Sequence, residues 1–388
     1  MSRRNLARLL GALLAFIVLW CVPCPLLKAD RRRAVWASGG PGWSTPENVS
    51  ASILLDSEAP TVAVSGSGVV HAVWEEGKRL YHASRDGGSW SSPSSILGTI
   101  NAQQPVLASG SGDEIHLVFA NRPDVFYSSW NGTSWSAPLN LSLTTSTSDE
   151  PDLAVAGDGS LHVVTVEGSN QHLYYASVGD GSYVPIPGAY GTSPSIDVTA
   201  AGPVEVHVAY REFFPATTYD ISYTSRGPAG SWSLPEVVSN SPEDFSTAPQ
   251  LALGAGGVPH VAWRETISAT PQVQYARGPT WTPIITLSQS ATGTTLPAFA
   301  VDALGGQHAA WGDGTSPSFA LLHTSRTAAL SWSGPTAVNA SILEIQDVVL
   351  DADPRGPIHA VWVEGEDGEV WYARWSPHQV FLPLIYKE

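Results

Sequence analysis

The chain's 388 residues carry 35 acidic against 19 basic side chains, a formal charge of −16 that repels nucleic acid and anionic lipid. Charged residues are only 14 % of it, whereas 36 glycines, 30 prolines and 15 tryptophans punctuate short β-branched and aromatic runs, the pattern of an all-β protein. Its two cysteines, Cys21 and Cys24, both fall in the first 29 residues, so a chain cleaved after them has no disulfide, no Cys-ligated zinc and no Cys nucleophile.

Residues 1–29 read as a secretory signal: Arg3, Arg4 and Arg8, an apolar stretch from Leu9 to Trp20, then Pro23, Pro25 and the small Ala29. The apolar run is short for a membrane span. Trp20 before Cys21 and Pro23 before Cys24 stand where a lipid-anchor motif needs a small residue, so simple cleavage is the better reading. It predicts a secreted or cell-surface protein with no integral span in its mature form. Residues 30–377 follow without a linker-like break and are expected to form one repeat domain.

One unit recurs seven times along this stretch: a Pro leading an apolar strand, a Gly-rich turn, a His inside a second strand, an aromatic third strand, then Trp-Ser-x-Pro. The register is set by His71, His116, His162, His207, His260, His308 and His359, separated by 45, 46, 45, 53, 48 and 51 residues. Such a period suits a four-stranded blade and predicts a seven-bladed β-propeller of antiparallel blades. Three residues after each His stand Trp74, Phe119, Thr165, Tyr210, Trp263, Trp311 and Trp362, and the third strands are assigned Tyr81, Tyr127, Tyr175, Tyr223, Tyr275, His323 and Tyr372. Fourth strands open at Trp90, Trp135, Tyr183, Trp232, Trp281 and Trp332. The seventh unit lacks one, and the spare copy, Trp43-Ser44-Thr45-Pro46, stands before the first unit. An N-terminal strand there would complete the last blade and leave no terminal sheet edge unpaired.

Ser84-Arg85-Asp86-Gly87-Gly88-Ser89-Trp90 is close to the Asp-box pattern Ser-x-Asp-x-Gly-x-x-Trp, one residue short before Trp, and fragments recur at Ser177 to Tyr183 and Ser225 to Trp232. The unit resembles that of exported bacterial sialidase-like, Asp-box (BNR) propellers over Trp43 to Pro377. The resemblance implies that the box folds the turn between third and fourth strands, away from the ligand face. It also implies, for a true sialidase, three substrate-binding arginines with a Tyr, a Glu and an Asp in catalysis. The family's Phe-Arg-Ile-Pro signature is absent, Ala59-Pro60-Thr61-Val62 standing in its place. Arg79, Arg122, Arg211 and Arg264 reach the same face, and no spacing singles out three.

The seven histidines are one per unit, which places them too far apart to share an ion; hydrogen bonds to a neighbouring strand or turn are their expected role. Five residues beyond each stand Glu76, Asn121, Glu167, Glu212, Glu265, Asp313 and Glu364. These either cap their own turns between second and third strands (the 2–3 turns) or form an acidic mouth for a cation, a polyol or a basic partner, with Glu58, Asp149 and Glu150 adding to it. No cofactor is implied; calcium is the ion such oxygens would suit, although nothing resembles an EF-hand loop. The interval from His to the third-strand aromatic, 10, 11, 13, 16, 15, 15 and 13 residues, predicts the longest 2–3 turns in units 4 to 6. Within them Arg211, Glu212, Phe213 and Phe214, with Tyr219 nearby, offer aromatic platforms for a sugar or peptide, unless a Phe packs under the loop.

No Gly-x-Ser-x-Gly elbow, His-Glu-x-x-His helix or phosphate loop is present. The sequence therefore predicts a monomeric, extracellular, non-catalytic binding protein whose glycan or protein ligand sits on the face of the 2–3 turns at Glu76, Glu167, Arg211, Glu212, Phe213, Phe214, Glu265, Asp313 and Glu364. The alternatives are a sialidase-like glycoside hydrolase and an envelope scaffold without a small ligand. Residues 378–388 form a short apolar tail, either for sorting or envelope contact or to cover the domain surface.

Overall fold

The computed structural model describes residues 42–52, 55–110, 112–213, 219–239, 245–327, 331–365 and 368–376. Residues 1–29, expected to be a signal, residues 378–388 and Phe214 lie outside them. Among the described residues the chain is all-β, apart from one 3-10 turn at Ala255–Gly257, and consists of antiparallel sheets that follow the repeat. Repeats 1, 2, 5 and 6 each form a four-stranded sheet in chain order. Repeats 3 and 4 share one seven-stranded sheet, because the 17-residue strand Ser182–Val198 is both the last strand of one and the first of the other. Repeat 7 supplies three strands, and Glu47–Asn48 adds the fourth by pairing with Tyr372 and Trp371. Trp43 bridges to Trp375 at the far end of the same strand.

Second strands are covered on both faces and therefore read as unbroken apolar runs rather than as an alternation; Leu161–Glu167 and Ile358–Glu364 are buried throughout. Each apolar cluster of the core joins one repeat to the next. Val73 and Leu80 of repeat 1 pack with Leu117 and Phe119 of repeat 2, and so on to Ala310 and Leu321 of repeat 6 with Val348 and Trp362 of repeat 7. A further cluster joins Val361, Val370 and Tyr372 of repeat 7 to Val62, Ala72 and Trp74 of repeat 1.

In repeats 1 to 5 the repeated proline lies inside the first strand rather than ahead of it, whereas Pro297 of repeat 6 precedes its strand. Pro60, for instance, is within Ser57–Val64, where the pairing register slips between Glu58 and Thr61. Equivalent bulges occur in repeats 2, 3, 4, 5 and 7. Proline cannot donate to the ladder and disfavours the right-handed helical region for the residue before it, so the strand accommodates it at a bulge. The preceding residue is left-handed at Ala59, Gln104, Glu150, Ser193 and Ala248, and Asp347 takes the same conformation in repeat 7, with φ between 44° and 52°. These six residues mark the end of the first strands that lies beside the 2–3 turns, here termed the rim.

First strands expose an unpaired edge, and side chains of the preceding repeat satisfy it. Asp347 and Asp351 of repeat 7 accept from Ala59 N–H and Val64 N–H of repeat 1 at 3.4 and 2.9 Å. Thr61 Oγ1 accepts from Leu107 N–H at 3.1 Å, Gln104 Oε1 from Glu150 N–H at 3.1 Å and Asp152 Oδ2 from Ile196 N–H at 2.8 Å. Asp197 Oδ2 accepts from Leu253 N–H at 2.7 Å.

Two expectations need correction. The third-strand residue facing His71 is His82, not Tyr81: the pairing sets Val73 opposite His82, as Val118 stands opposite Tyr127. The extra residues of repeats 5 and 6 lengthen the strands instead of the turns. Pro259–Ile267 and Thr270–Arg277 are joined by Ser268 and Ala269 alone, both at positive φ, and Gln307–Thr315 and Ser318–Arg326 by Ser316 and Pro317.

Candidate functional site

The registered histidines are interior groups. Each Nδ1 meets a third-strand partner at 2.5–3.1 Å: His82, Tyr127, Tyr175, Tyr223, Tyr275, His323 and Tyr372 in turn. Burial pushes His71, His207 and His260 down to about 4 and His82 and His323 to about 3, so they are neutral at physiological pH. No group of three or more His, Cys, Asp or Glu side chains positioned to hold a metal ion occurs among the described residues.

Carboxylates five residues beyond the histidines serve the same interior. Side chains two apart on a strand share a face, and the recurring aromatic-x-acid spacing lets the acid accept from the aromatic. Trp74 Nε1 donates to Glu76 at 3.0 Å and Trp263 Nε1 to Glu265 at 2.7 Å. Glu167 accepts from Thr144, Ser148 and Tyr183, the last at 2.7 Å; Glu212 accepts from Ser222, Asp313 from Ser290 at 2.8 Å, and Glu364 from Asn339 and Ser341. Glu167, Glu265 and Glu364 are buried. The structure thus distributes the six acids one per repeat inside the sheets.

It brings together a different set on the face of the 2–3 turns. In repeat 4, Phe213 is 51 % exposed, and Phe245, at the approach to repeat 5, is 49 % exposed. Between them lies Tyr219, with ring centroids 6.1 Å from Phe213 and 5.5 Å from Phe245. The Arg211 guanidinium lies 3.9 Å from the Tyr219 ring centroid, a cation–π contact that holds the ring in place. Backbone bonds fix the three segments: Phe213 N–H to Tyr190 O, Ser246 N–H to Tyr219 O and Thr266 N–H to Phe245 O, at 2.9–3.1 Å. Tyr190, itself stacked on His172 at 4.3 Å, extends the aromatic surface. Sequence reading found Phe213 and Tyr219; Phe245 and Tyr190 come from other segments and carried no local signal.

The rim lies beside this platform. Glu150 is raised, chiefly by burial and secondarily by Asp149, and is drawn back by the Ser193 amide, Arg211 and Arg122. Glu75 is raised by burial and by its neighbours Glu58 and Asp347, while its Oε1 accepts from Gln104 N–H at 2.6 Å. Arg122 pairs with Asp149. A cleft of about 540 Å³, between repeats 1 and 2, is lined by Asp56, Glu58, Glu75, Lys78, Gln103 and Arg122 among others. Arg79 opens its strand at the 2–3 turn, opposite Glu76, and is exposed, and Arg264 belongs to repeat 5, so the four candidate arginines come from four different repeats.

Comparison with known proteins adds the fold class. No family model matches the chain, and no curated protein matches it. Solved structures do: a PL25 ulvan lyase, described as a polysaccharide lyase, aligns with a TM-score of 0.59 at 12 % identity over 87 % of this chain and 95 % of its own. The polysaccharide lyase Uly1 aligns at 0.52 and 10 % identity over 89 % and 94 %. A protein of unknown function from Dyadobacter fermentans aligns at 0.55 and 10 % identity over 87 % and 100 %. The chain has a β-propeller-type fold like that of these neighbours, two of which are polysaccharide lyases. The Asp-box-like segment Ser84 to Trp90 forms the turn between third and fourth strands of repeat 1, where Arg85 bridges to Trp90, at the end of the sheet remote from the rim.

Proposed function

We propose that this is an exported, non-catalytic carbohydrate-binding protein, a seven-bladed propeller closed by its own N-terminal strand, whose ligand lies across Phe213, Tyr219 and Phe245. The observation that carries this reading is the platform itself. Half-exposed aromatic rings contribute nothing to the core there, and sugar faces stack well on such rings. The seven repeat-to-repeat clusters, including the one between repeats 7 and 1, support the closed ring. Carbohydrate-active neighbours of the same fold class make a glycan the better candidate than a peptide. Ser376 N–H donates to Gly42 O at 2.8 Å at the end of the sheet opposite the rim.

Affinity electrophoresis against a panel of polysaccharides tests the reading. Retardation by at least one glycan, weakened about tenfold in Phe213→Ala and Tyr219→Ala, is expected; retardation unchanged in both variants would remove the site. A hydrolase of sialidase-like type draws on Glu75 and Glu150, carboxyls near the rim whose pKa burial raises. Release of fluorophore from a glycoside panel, abolished by Glu150→Gln, would replace the binding reading with that one.

A further inference from the structure

We propose that the rim of repeats 7, 1, 2 and 3 is a docking surface for a basic polypeptide segment, whose apolar side chains rest on Leu55, Ile100, Leu143 and Ile342 and whose Lys or Arg side chain enters the cleft between repeats 1 and 2. This surface is separate from the aromatic platform of repeats 4 and 5, and nothing in it depends on a glycan being bound there.

The connections that lead into the first strands are tied to the 2–3 turns. At the preceding repeat's turn, Ser57 N–H donates to Gly368 O of repeat 7, Asn101 N–H to Lys78 O of repeat 1 and Ser148 N–H to Pro123 O of repeat 2, at 2.7–3.0 Å. Each connection also meets the turn of its own repeat. Asn121 Nδ2 donates to Ile100 O at 3.2 Å, and Gly168 N–H to Thr147 O and Gly365 N–H to Glu344 O at 2.9 Å. Leu55 lies against Gly77, where an added Cβ would stand 2.8 Å from its Cδ1. The four connections therefore follow one another along the rim, and each carries a large apolar side chain that is 47–79 % exposed: Ile342, Leu55, Ile100 and Leu143. One exposed aliphatic residue is ordinary on a protein surface; four in equivalent connections of consecutive repeats form a patch that a partner can cover.

The charge along the same arc says what kind of partner. The cleft of about 540 Å³ has Leu55 in its wall and sets Asp56, Glu58, Glu75 and Glu76 against Lys78 and Arg122, and Arg122 is already paired with Asp149. The Asp56 and Glu58 carboxylates meet no hydrogen-bond donor or cation among the described residues. Glu75 feels both Glu58 and Asp347, and each of these acids disfavours its charge. A second copy of the chain would bring acid against acid, and an anionic lipid surface would be repelled in the same way. Leu and Ile lack the flat rings on which sugars stack. A Lys or Arg side chain supplies the charge that these carboxylates lack, and apolar neighbours on the same segment cover the aliphatic arc, so complementary charge guides the segment and apolar burial holds it. Repeats 4 and 5 present Arg211 and aromatic rings instead, which leaves that sector to a different ligand.

The test is fluorescence anisotropy of the exported chain with labelled peptides built from repeated Leu-Lys-Ser, Ser-Lys-Ser or Leu-Glu-Ser units. Wild type is expected to bind the Leu-Lys-Ser peptide at least about tenfold more tightly than the Ser-Lys-Ser peptide and not to bind the Leu-Glu-Ser peptide. Ile100→Ser and Leu143→Ser should each weaken binding about three- to tenfold, and Glu58→Gln should weaken it and flatten its dependence on salt. Leu234→Ser and Asp86→Asn alter an exposed apolar and an exposed acidic residue remote from the rim and leave binding unchanged. All the replaced side chains are exposed, so thermal midpoints equal to wild type separate lost docking from lost folding. Equal binding of the Leu-Lys-Ser and Ser-Lys-Ser peptides, an equal loss in the remote variants, or no peptide binding by wild type overturns the proposal. Self-association of wild type that Ile100→Ser abolishes overturns it in favour of a second copy. Glycan retardation kept in Ile100→Ser, with peptide binding kept in Phe213→Ala, shows two separate surfaces; glycan retardation lost in Ile100→Ser overturns their separation, and absence of any glycan binding removes the platform reading while leaving this one standing.

Discussion

The interior of each repeat and its rim follow different rules. In the interior, the second and third strands repeat the same chemistry seven times: a histidine bonded to a tyrosine or histidine, and in most repeats an acid meeting an aromatic two residues before it or a hydroxyl from the strand beside it. At the rim the repeats divide. Repeats 7, 1, 2 and 3 present Asp347, Glu75, Gln104 and Glu150, which bond to the next amide, whereas repeats 4 and 5 present Arg211 and the rings of Phe213, Tyr219 and Phe245, which meet one another. Repetition here marks what every sheet needs in order to pack, and variation marks where the protein can meet something else.

The sharpest way to break that distinction is to cut into the interior. Trp263→Ala removes a side chain with no exposed surface and the indole donor to Glu265, and should cost about 3–5 kcal/mol in urea denaturation; a loss below ~1 kcal/mol would show that the interior is not the structural part. Asp351→Ala, which uncaps Val64 N–H at the junction of repeats 7 and 1, should cost about 1–3 kcal/mol. Tyr275→Phe, which deletes only the hydroxyl facing His260, should cost about 1 kcal/mol. Phe213→Ala should alter stability by less than about 0.5 kcal/mol while weakening glycan binding, because its ring is half in water already.

Acidity separates two sets of interior groups, the second-strand histidines and the first-strand aspartates, which titrate with opposite sign. His260 is depressed to about 4 by burial, so its stabilisation is complete above the ordinary histidine value and is lost as pH falls through about 4. Asp351 is raised to about 6, and Asp152 to about 7, by burial; their stabilisation is complete below the ordinary carboxylate value and is lost as pH rises through those values. The stability gap between wild type and His260→Gln should therefore narrow as pH falls from about 6.5 to 4. The gap between wild type and Asp351→Asn should move in wild type's favour over the same fall. Parallel pH profiles for the two variants would erase the distinction.

Much of the frame was legible because it is periodic. Histidines at near-constant spacing located seven second strands, and the spare Trp-Ser-x-Pro at Trp43 pointed to the strand that pairs with Glu369–Trp375. The misassignment of Tyr81 for His82 shows the limit of that method: two adjacent aromatic-type residues lie on opposite faces, and only the pairing register chooses between them.

Sequence alone determined the all-β class, the repeat and the interior positions, because strand alternation and a fixed period are local properties of the chain. Only the tertiary structure decided where the acids point, since Trp74 and Glu76 share a face that another sheet covers. It alone also assembled Phe213, Tyr219 and Phe245. Those relations depend on neighbours from different segments and repeats, and no local spacing encodes them.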